Sequence, residues 1–391
     1  MKIVHIAPNC PYTDNWGYQE NLLPKYQKTL GHDVAIITTN DAWENGKMTK
    51  VSCGEYDLAD GVHVIRGSKK QYNFRIVSNL MSTLDIFEYL KQWSPDLIFF
   101  HGMVSATILQ AVKYKKKVKP DCVIVQDNHL DYCIEAQYKG VKYYVIRAFY
   151  RCLKRCSIDS ISKVYGVTPW RKQYAEEYYL VPKSKTDVLI MGADDENIDF
   201  ANRSIIRRKK RLENNVSDTD FLIVTGGKID EKKNIHLLMQ ACVNLKNVKL
   251  LVFGSVSPAL KEEFEKLEKE NANIIYIGWI DADRVYDYFF AADLVIFPGA
   301  HSVLWEQACA SKVPCVFKSW DGMNHVNNGG NSDFIDKISP ETIREKIQEL
   351  HFTEKYFSMK KAAESEKTDI YLYSNIAIKS LECVNKNNGY N

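Results

Sequence analysis

Three side chains in the second half of this chain have the types and spacing to hold a phosphorylated ligand. Lys228 and Lys233 flank Ile229-Asp230-Glu231-Lys232, directly after the glycine pair Gly226-Gly227. Glu306 sits in Val303-Leu304-Trp305-Glu306-Gln307-Ala308-Cys309-Ala310. Glycines let a backbone approach a phosphate, a helix start offers N–H groups to an anion, and lysine adds a point charge. An ionised carboxylate can accept from two vicinal hydroxyls. Together these supply what a nucleotide-sugar needs, with cations for its diphosphate and a carboxylate for its ribose. Plainer readings stand beside this one. The lysines fit a turn with a solvated charge cluster. Glu306, with Ser302 as N-cap, fits a carboxylate favoured by the helix dipole, an effect of ~0.3–1 kcal/mol. Neither GxGxxG nor GxxxxGK[ST] occurs, which argues against a dinucleotide oxidoreductase and a P-loop enzyme.

The first half offers histidines. His101 follows Phe99-Phe100, and His129 lies in Gln126-Asp127-Asn128-His129-Leu130-Asp131. Each comes just after an apolar run, and polar residues at the ends of parallel strands line binding sites. Asp127 and Asp131 bracket His129 and could orient it or act on an acceptor proton; a structural histidine is the competing reading. Gly17, in Asp14-Asn15-Trp16-Gly17-Tyr18-Gln19-Glu20, precedes a helix and could bring amides to a phosphate, or serve only as a helix entry. No His/Cys/Asp set has metal-ligand spacing, so no metal or other cofactor is expected. A Gly-x-Ser-x-Gly elbow is absent.

Those residues need elements to position them. Apolar runs at 2–7, 34–39, 62–65, 97–100, 122–125 and 163–167 read as buried strands, with helical spacing over 18–30. A polar, basic stretch at 195–217 reads as a crossing between domains. A second alternation begins at 221–225 and continues through helix 234–245, strand 249–253, helix 259–270, strand 274–277, helix 283–291, strand 293–297, a helix from about 303 and strand 314–317. Tandem α/β series predict two Rossmann-like, doubly wound domains facing across a cleft. Their boundaries are 1–195 and 218–370.

Length and charge agree with that reading. The chain has 391 residues, too many for one ordinary core. Lys and Arg number 52 against 49 Asp and Glu, a balance of +3 that carries no nucleic-acid footprint. Ten cysteines without paired CxxC spacing, and no secretory signal, suggest reduced thiols in a cytoplasmic protein. No run reaches transmembrane length. Residues 141–155 alternate Lys142, Arg147, Arg151, Lys154 and Arg155 with Tyr143, Tyr144, Val145, Ile146, Phe149, Tyr150 and Leu153. That pattern fits a helix lying on an anionic membrane surface, or one packing an apolar stripe on the sheet.

Taken together, these motifs resemble a family 4 retaining glycosyltransferase (glycosyl transferases group 1) of the GT-B fold. Gly227-Lys228-Ile229-Asp230-Glu231-Lys232-Lys233-Asn234 is similar to the family's Gly-Arg-Leu-x-x-Glu-Lys-Gly/Asn segment, which implies that Lys228 and Lys233 contact the donor diphosphate. Gly278-Trp279-Ile280 resembles the segment whose backbone meets the base. Glu306 matches the second glutamate of the family's E-x7-E pattern, implying ribose binding. The first glutamate falls on Pro298, in a loop that looks shortened, and the resemblance leaves His301 or a backbone amide to stand in for it. Ser302 and Val303 join the implied donor site, as do Gly227 and, from the first half, Gly17. Gly31-His32-Asp33-Val34 and Met191-Gly192-Ala193-Asp194 also resemble family segments, and either His101 or His129 resembles its acceptor-side histidine; the resemblance further implies a C-terminal helix, over about 371–391, returning to the first domain. The resemblance implies transfer from a nucleotide-sugar, a UDP-sugar by preference, to a hydroxyl of a glycan or lipid-linked acceptor, with retention and without a metal. Capsule or cell-envelope polysaccharide synthesis is the implied setting, with the protein cytoplasmic or peripheral on the inner face of the membrane. Two alternatives are a GT-B nucleotide-sugar epimerase and a non-catalytic GT-B subunit, the latter favoured by Pro298.

Overall fold

The computed structural model describes residues 1–44, 46–70, 83–132 and 140–387. The chain divides into two compact units: Met1–Ile190 with Ile376–Asn391, and Met191–Asn375.

The first unit carries β1 (Lys2–Ala7), β2 (Asp33–Thr39), β3 (Asp41–Glu44), β4 (Lys47–Lys50), β5 (Gly54–Asp57), β6 (His63–Gly67), β7 (Leu97–Phe100), β8 (Val123–Asn128), β9 (Lys163–Gly166) and β10 (Thr186–Val188). Eight form one sheet in the order β10-β9-β8-β7-β1-β2-β6-β5, and β3 pairs with β4 as a separate hairpin. All neighbours in the large sheet are parallel except β5 against β6. The apolar runs are the strands covered on both faces: β1, β2, β7 and β8 are buried from their second residue onward or throughout. The exposed strands β4 and β5 have no such run, and the apolar pattern did not mark them.

The second unit holds β11 (Phe221–Ile229), β12 (Val248–Val256), β13 (Ile274–Tyr276), β14 (Leu294–Phe297), β15 (Cys315–Lys318) and β16 (Ser332–Ile335). Their order is β13-β12-β11-β14-β15-β16, all parallel. The sequence pattern ends the first of these strands at 225 and puts Gly226-Gly227 in a turn. The structure instead keeps both in β11, opposite Phe253 and Gly254 of β12. Close approach explains why glycine is needed there. A side chain at Gly226 would meet the Phe253 ring at 2.4 Å, and a Cβ at Gly254 would lie 1.8 Å from the Gly227 carbonyl oxygen. Gly227 and Gly254 also adopt φ of +107° and +120°, open to glycine but strained for other residues.

The stretch 195–217, expected as a crossing, is built into the second unit. Helix Arg203–Glu213 is basic because it grips the start of β14: Arg207 and Arg211 pair with Asp293 at 2.6 and 3.0 Å and donate to the Ala291 carbonyl. Residues 371–375 stay with this unit, where Asp195 accepts from the Ser374 N–H at 3.2 Å. From Ile376 the chain belongs to the first unit.

Candidate functional site

In the second sheet the chain order reverses at β11, whose neighbours are β12 and β14. In open α/β sheets, ligands bind at the carboxyl ends of strands beside such a reversal. Gly227 and Lys228 lie near the carboxyl end of β11, and residues 298–303 leave that of β14. Several contacts bind the two segments together. The Lys233 ammonium donates to the carbonyls of Ala300 at 2.6 Å and His301 at 3.0 Å. The Asn234 amide donates to the Pro298 carbonyl at 3.1 Å, and the Ala300 N–H to that of Lys232. Gly299 permits this closeness, since a Cβ there would lie 2.3 Å from the Lys233 carbonyl carbon. Lys233, expected on the diphosphate, therefore holds the back of the 298–303 loop. Lys228 is the outward cation, 70% exposed and 3.4 Å from Asp230.

Glu306 is fully buried in helix Leu304–Ala310. Its Oε1 accepts from His301 Nε2 at 2.8 Å and from His325 Nε2 at 2.7 Å. Its Oε2 has no hydrogen-bond partner among the described residues. Burial alone would raise this carboxyl, but the two imidazoles outweigh it and hold it down at about 2. One oxygen of the expected two-pronged hydroxyl acceptor is thus already filled. Ser302 does not cap the helix with its hydroxyl; its carbonyl accepts from the Trp305 N–H at 3.0 Å, and Val303 stands at the cap position. Gly278 reaches the same end of the sheet, its carbonyl accepting from the Gly254 N–H at 2.7 Å. Trp279 beside it is 70% exposed, and Ile280 is half-buried. His325, in a polar Asn- and Gly-rich stretch, gave no spacing signal in the sequence.

The first unit sets the two histidines in different surroundings. Ser380 Oγ donates to the Ala377 carbonyl at 2.6 Å, so it accepts from Gln27 Nε2 at 2.9 Å. Gln27 Oε1 then accepts from His5 Nε2 at 2.7 Å. His5 is fully buried and neutral, its pKa lowered to about 3 by burial, so its Nδ1 accepts from His101 Nε2 at 3.0 Å. His101 Nδ1 donates to Asp127 Oδ2 at 2.7 Å, and the Gly102 N–H to Oδ1 at 2.6 Å. Both nitrogens of His101 are thus used inside the fold, and the residue is only 2% exposed. His129 is the accessible one. Its side chain is 32% exposed, and its Nε2 lies 3.4 Å from the same Asp127 oxygen. Burial lowers the His129 pKa, but the Asp127 carboxylate, aided by Glu20, raises it overall. Asp131 pairs with Arg171 instead.

Gly17 is exposed, with nothing within 4 Å of where a Cβ would stand. Two residues on, Gln19 is 2% exposed, and neither atom of its amide has a hydrogen-bond partner among the described residues. It opens helix Gln19–Thr29, which has no side-chain cap. A buried, unsatisfied amide at an uncapped helix start marks a place where a ligand or water belongs. No pattern among its neighbours marks Gln19 in the sequence.

Helix Val141–Ser157 departs from the expected division of faces. Arg151 donates to the carbonyls of Tyr178 and Glu177, Arg147 stacks 4.8 Å from the Tyr178 ring, and Lys154 is buried against Gln126. These three cations anchor the helix, and the outward residues are Val141, Tyr144, Val145, Ala148, Cys152, Arg155 and Cys156. Snorkelling cations with long apolar stems can fill such inner positions. Among the described residues, no helix is long and apolar enough to cross a membrane.

This architecture is that of the GT-B fold. Over their lengths, the chain matches a sucrose-phosphate synthase from Thermosynechococcus elongatus (TM-score 0.67, 14% identity, 100% of both chains) and Anabaena HepE solved with UDP (TM-score 0.66, 15% identity, 99% and 100%). Within it, residues 206–366 match the family described as Glycosyl transferases group 1, and that segment contains the candidate residues of the second unit. Over 221 residues the chain is 24% identical to the processive diacylglycerol alpha-glucosyltransferase of Acholeplasma laidlawii, a match spanning 52% of this chain and 66% of that enzyme.

Proposed function

We propose that the protein transfers a sugar from a nucleotide-sugar, preferentially a UDP-sugar, to a hydroxyl of a glycan or lipid-linked acceptor, with retention at the anomeric carbon. The observation that carries this reading is the Glu306 carboxylate, held ionised within the segment that matches group 1, its buried Oε2 without a partner among the described residues. A ribose hydroxyl supplies the donor that Oε2 lacks. Lys228 places a mobile cation near the diphosphate, and Lys233 keeps the 298–303 loop in position. In the transfer, the bond from the anomeric carbon to the diphosphate oxygen breaks and the acceptor oxygen bonds the same face. The acceptor proton passes to the departing phosphate oxygen. Protein cations and amides stabilise the charge that develops there, so the step calls for no metal. His129, backed by Asp127, serves the acceptor.

Calorimetry with uridine, guanosine, adenosine and cytidine diphosphates and their sugar conjugates tests the donor half. Uridine diphosphate should bind, and Lys228→Ala should weaken it by roughly fivefold, the worth of one exposed ion pair. A folded protein that binds none of them would favour the non-catalytic subunit. An epimerised sugar in place of a glycosylated acceptor would favour the epimerase.

A lipid-linked acceptor fits the outward face of helix Val141–Ser157, and the Acholeplasma relative acts on diacylglycerol. This face would rest on the inner surface of the cell membrane, with exposed Lys116 and Lys117 of the neighbouring helix Ile108–Lys117 meeting anionic head groups. Tyr144→Glu with Val145→Glu should release the protein from vesicles containing phosphatidylglycerol. Sedimentation equal to that of the unaltered chain would sink the membrane reading.

A further inference from the structure

The three side chains His301, Glu306 and His325 form a cluster that the transfer reaction does not use as such. His301 Nε2, His325 Nε2 and a Glu306 carboxylate oxygen all lie within 4.8 Å of one another, and their side chains are 6%, 7% and 0% exposed. They come from three places in the chain, a loop, a helix and a turn after β15, so no sequence spacing announces them. Each is fixed by its backbone. The His301 carbonyl accepts from Lys233, and the His325 carbonyl accepts from the Tyr371 hydroxyl at 2.7 Å.

We propose that His301 Nε2, His325 Nε2 and Glu306 Oε1 bind one divalent transition-metal cation, which clips the 298–303 loop to helix Leu304–Ala310. Two imidazoles and one carboxylate suit zinc among the common cations, whereas magnesium and calcium prefer all-oxygen sets. Without a cation, hydrogen bonds draw the ligand atoms to 2.7–2.8 Å. Tetrahedral bonds of about 2.0–2.1 Å would spread each nitrogen–oxygen pair to about 3.3 Å and set the two imidazole ligand atoms, within 4.8 Å of each other in the structure, at that same separation. Two neutral imidazoles and one carboxylate leave a single negative charge, which a divalent cation more than balances in a buried place. The fourth position is left to water. Oε2 is not a ligand in this arrangement, so the cation acts on the loop and takes no part in the transfer step.

Metal-stripped protein would be titrated with zinc chloride, following metal content after desalting and the melting midpoint. The expected result is one zinc per chain and a midpoint raised by about 5 °C or more. Cobalt should give the strong visible absorption of a four-coordinate site. His325→Ala and the milder His325→Gln should abolish both signals while their metal-free melts show a folded protein. No retained zinc at micromolar concentration, or equal retention by both His325 variants, would overturn the proposal, the latter outcome pointing to exposed cysteines such as Cys152 and Cys156. Nucleotide binding measured separately, with chelator present, keeps failure of the metal site distinct from failure of the donor site.

Discussion

A Glu306→Ala variant is expected to bind uridine diphosphate roughly ten- to a hundredfold more weakly than the unaltered chain, the loss that follows removal of a hydrogen bond to an ionised group. Calorimetry at neutral pH reads it, with Glu306→Gln as companion. Glutamine keeps an oxygen for the two histidines but removes the charge that a hydroxyl would meet at Oε2. If both variants fold and bind as tightly as before, the carboxylate serves only His301 and His325. The same residue predicts an acid response. Its carboxyl lies at about 2 in the fold against an ordinary 4.5. A depressed carboxyl contributes stability that is present above its unfolded value and lost as pH falls through the folded one. Glu306 should therefore contribute on the order of 3 kcal/mol above pH 4.5, lost progressively toward pH 2. Urea unfolding at stepped pH should show Glu306→Gln less steeply weakened across that window.

The doubly wound units were legible because parallel strands covered on both faces must be apolar, and such runs are hard to mistake. The donor segment was legible for a different reason: glycines, lysines and a helix carboxylate sit at short, fixed spacings. What those residues do was less visible. Gly226 and Gly227 looked like a turn because glycine usually marks one, yet they continue a strand, where Gly226 makes room for the Phe253 ring and Gly254 opposite makes room for the Gly227 carbonyl. Lys233 looked like a phosphate ligand because its charge is evident in sequence, whereas the carbonyls of Ala300 and His301 that it grips are not. Arg147 and Arg151 read as a surface because charge is mostly solvated, but Tyr178 and its carbonyl provide them an inner partner, while Arg155 is exposed. His325 and Gln27 were invisible for a simpler reason. Long-range pairs joining residues 306 and 325, or 27 and 380, leave no local period.

Asp127→Asn should reduce sugar transfer by roughly a hundredfold while leaving uridine diphosphate affinity unchanged, because Lys228 and Glu306, which are assigned to the nucleotide, lie in the other unit. Asp127 is a positioning residue: one carboxylate, fully buried, holds His101 at 2.7 Å and stands 3.4 Å from His129. Asparagine can still accept from the Gly102 N–H, so the strand ends keep their geometry. The pH profile separates this role from a purely structural one. Burial would push the Asp127 carboxyl up, but His101 first and then His129 hold it well below the ordinary 3.8, while the carboxylate raises His129 above 6.5. The carboxylate's share of stability is present above pH 3.8 and lost as acid reaches its depressed value. The share from His129 is complete below pH 6.5 and lost as pH rises through its raised value. The pair is therefore worth most between those limits. Without the carboxylate, His129 must titrate at lower pH, so the limb of the rate profile that it governs should move toward acid. A variant whose rate falls with that limb unmoved would assign Asp127 to holding β7 and β8 together. A variant with unchanged rate would remove His129 and its carboxylate from the acceptor chemistry.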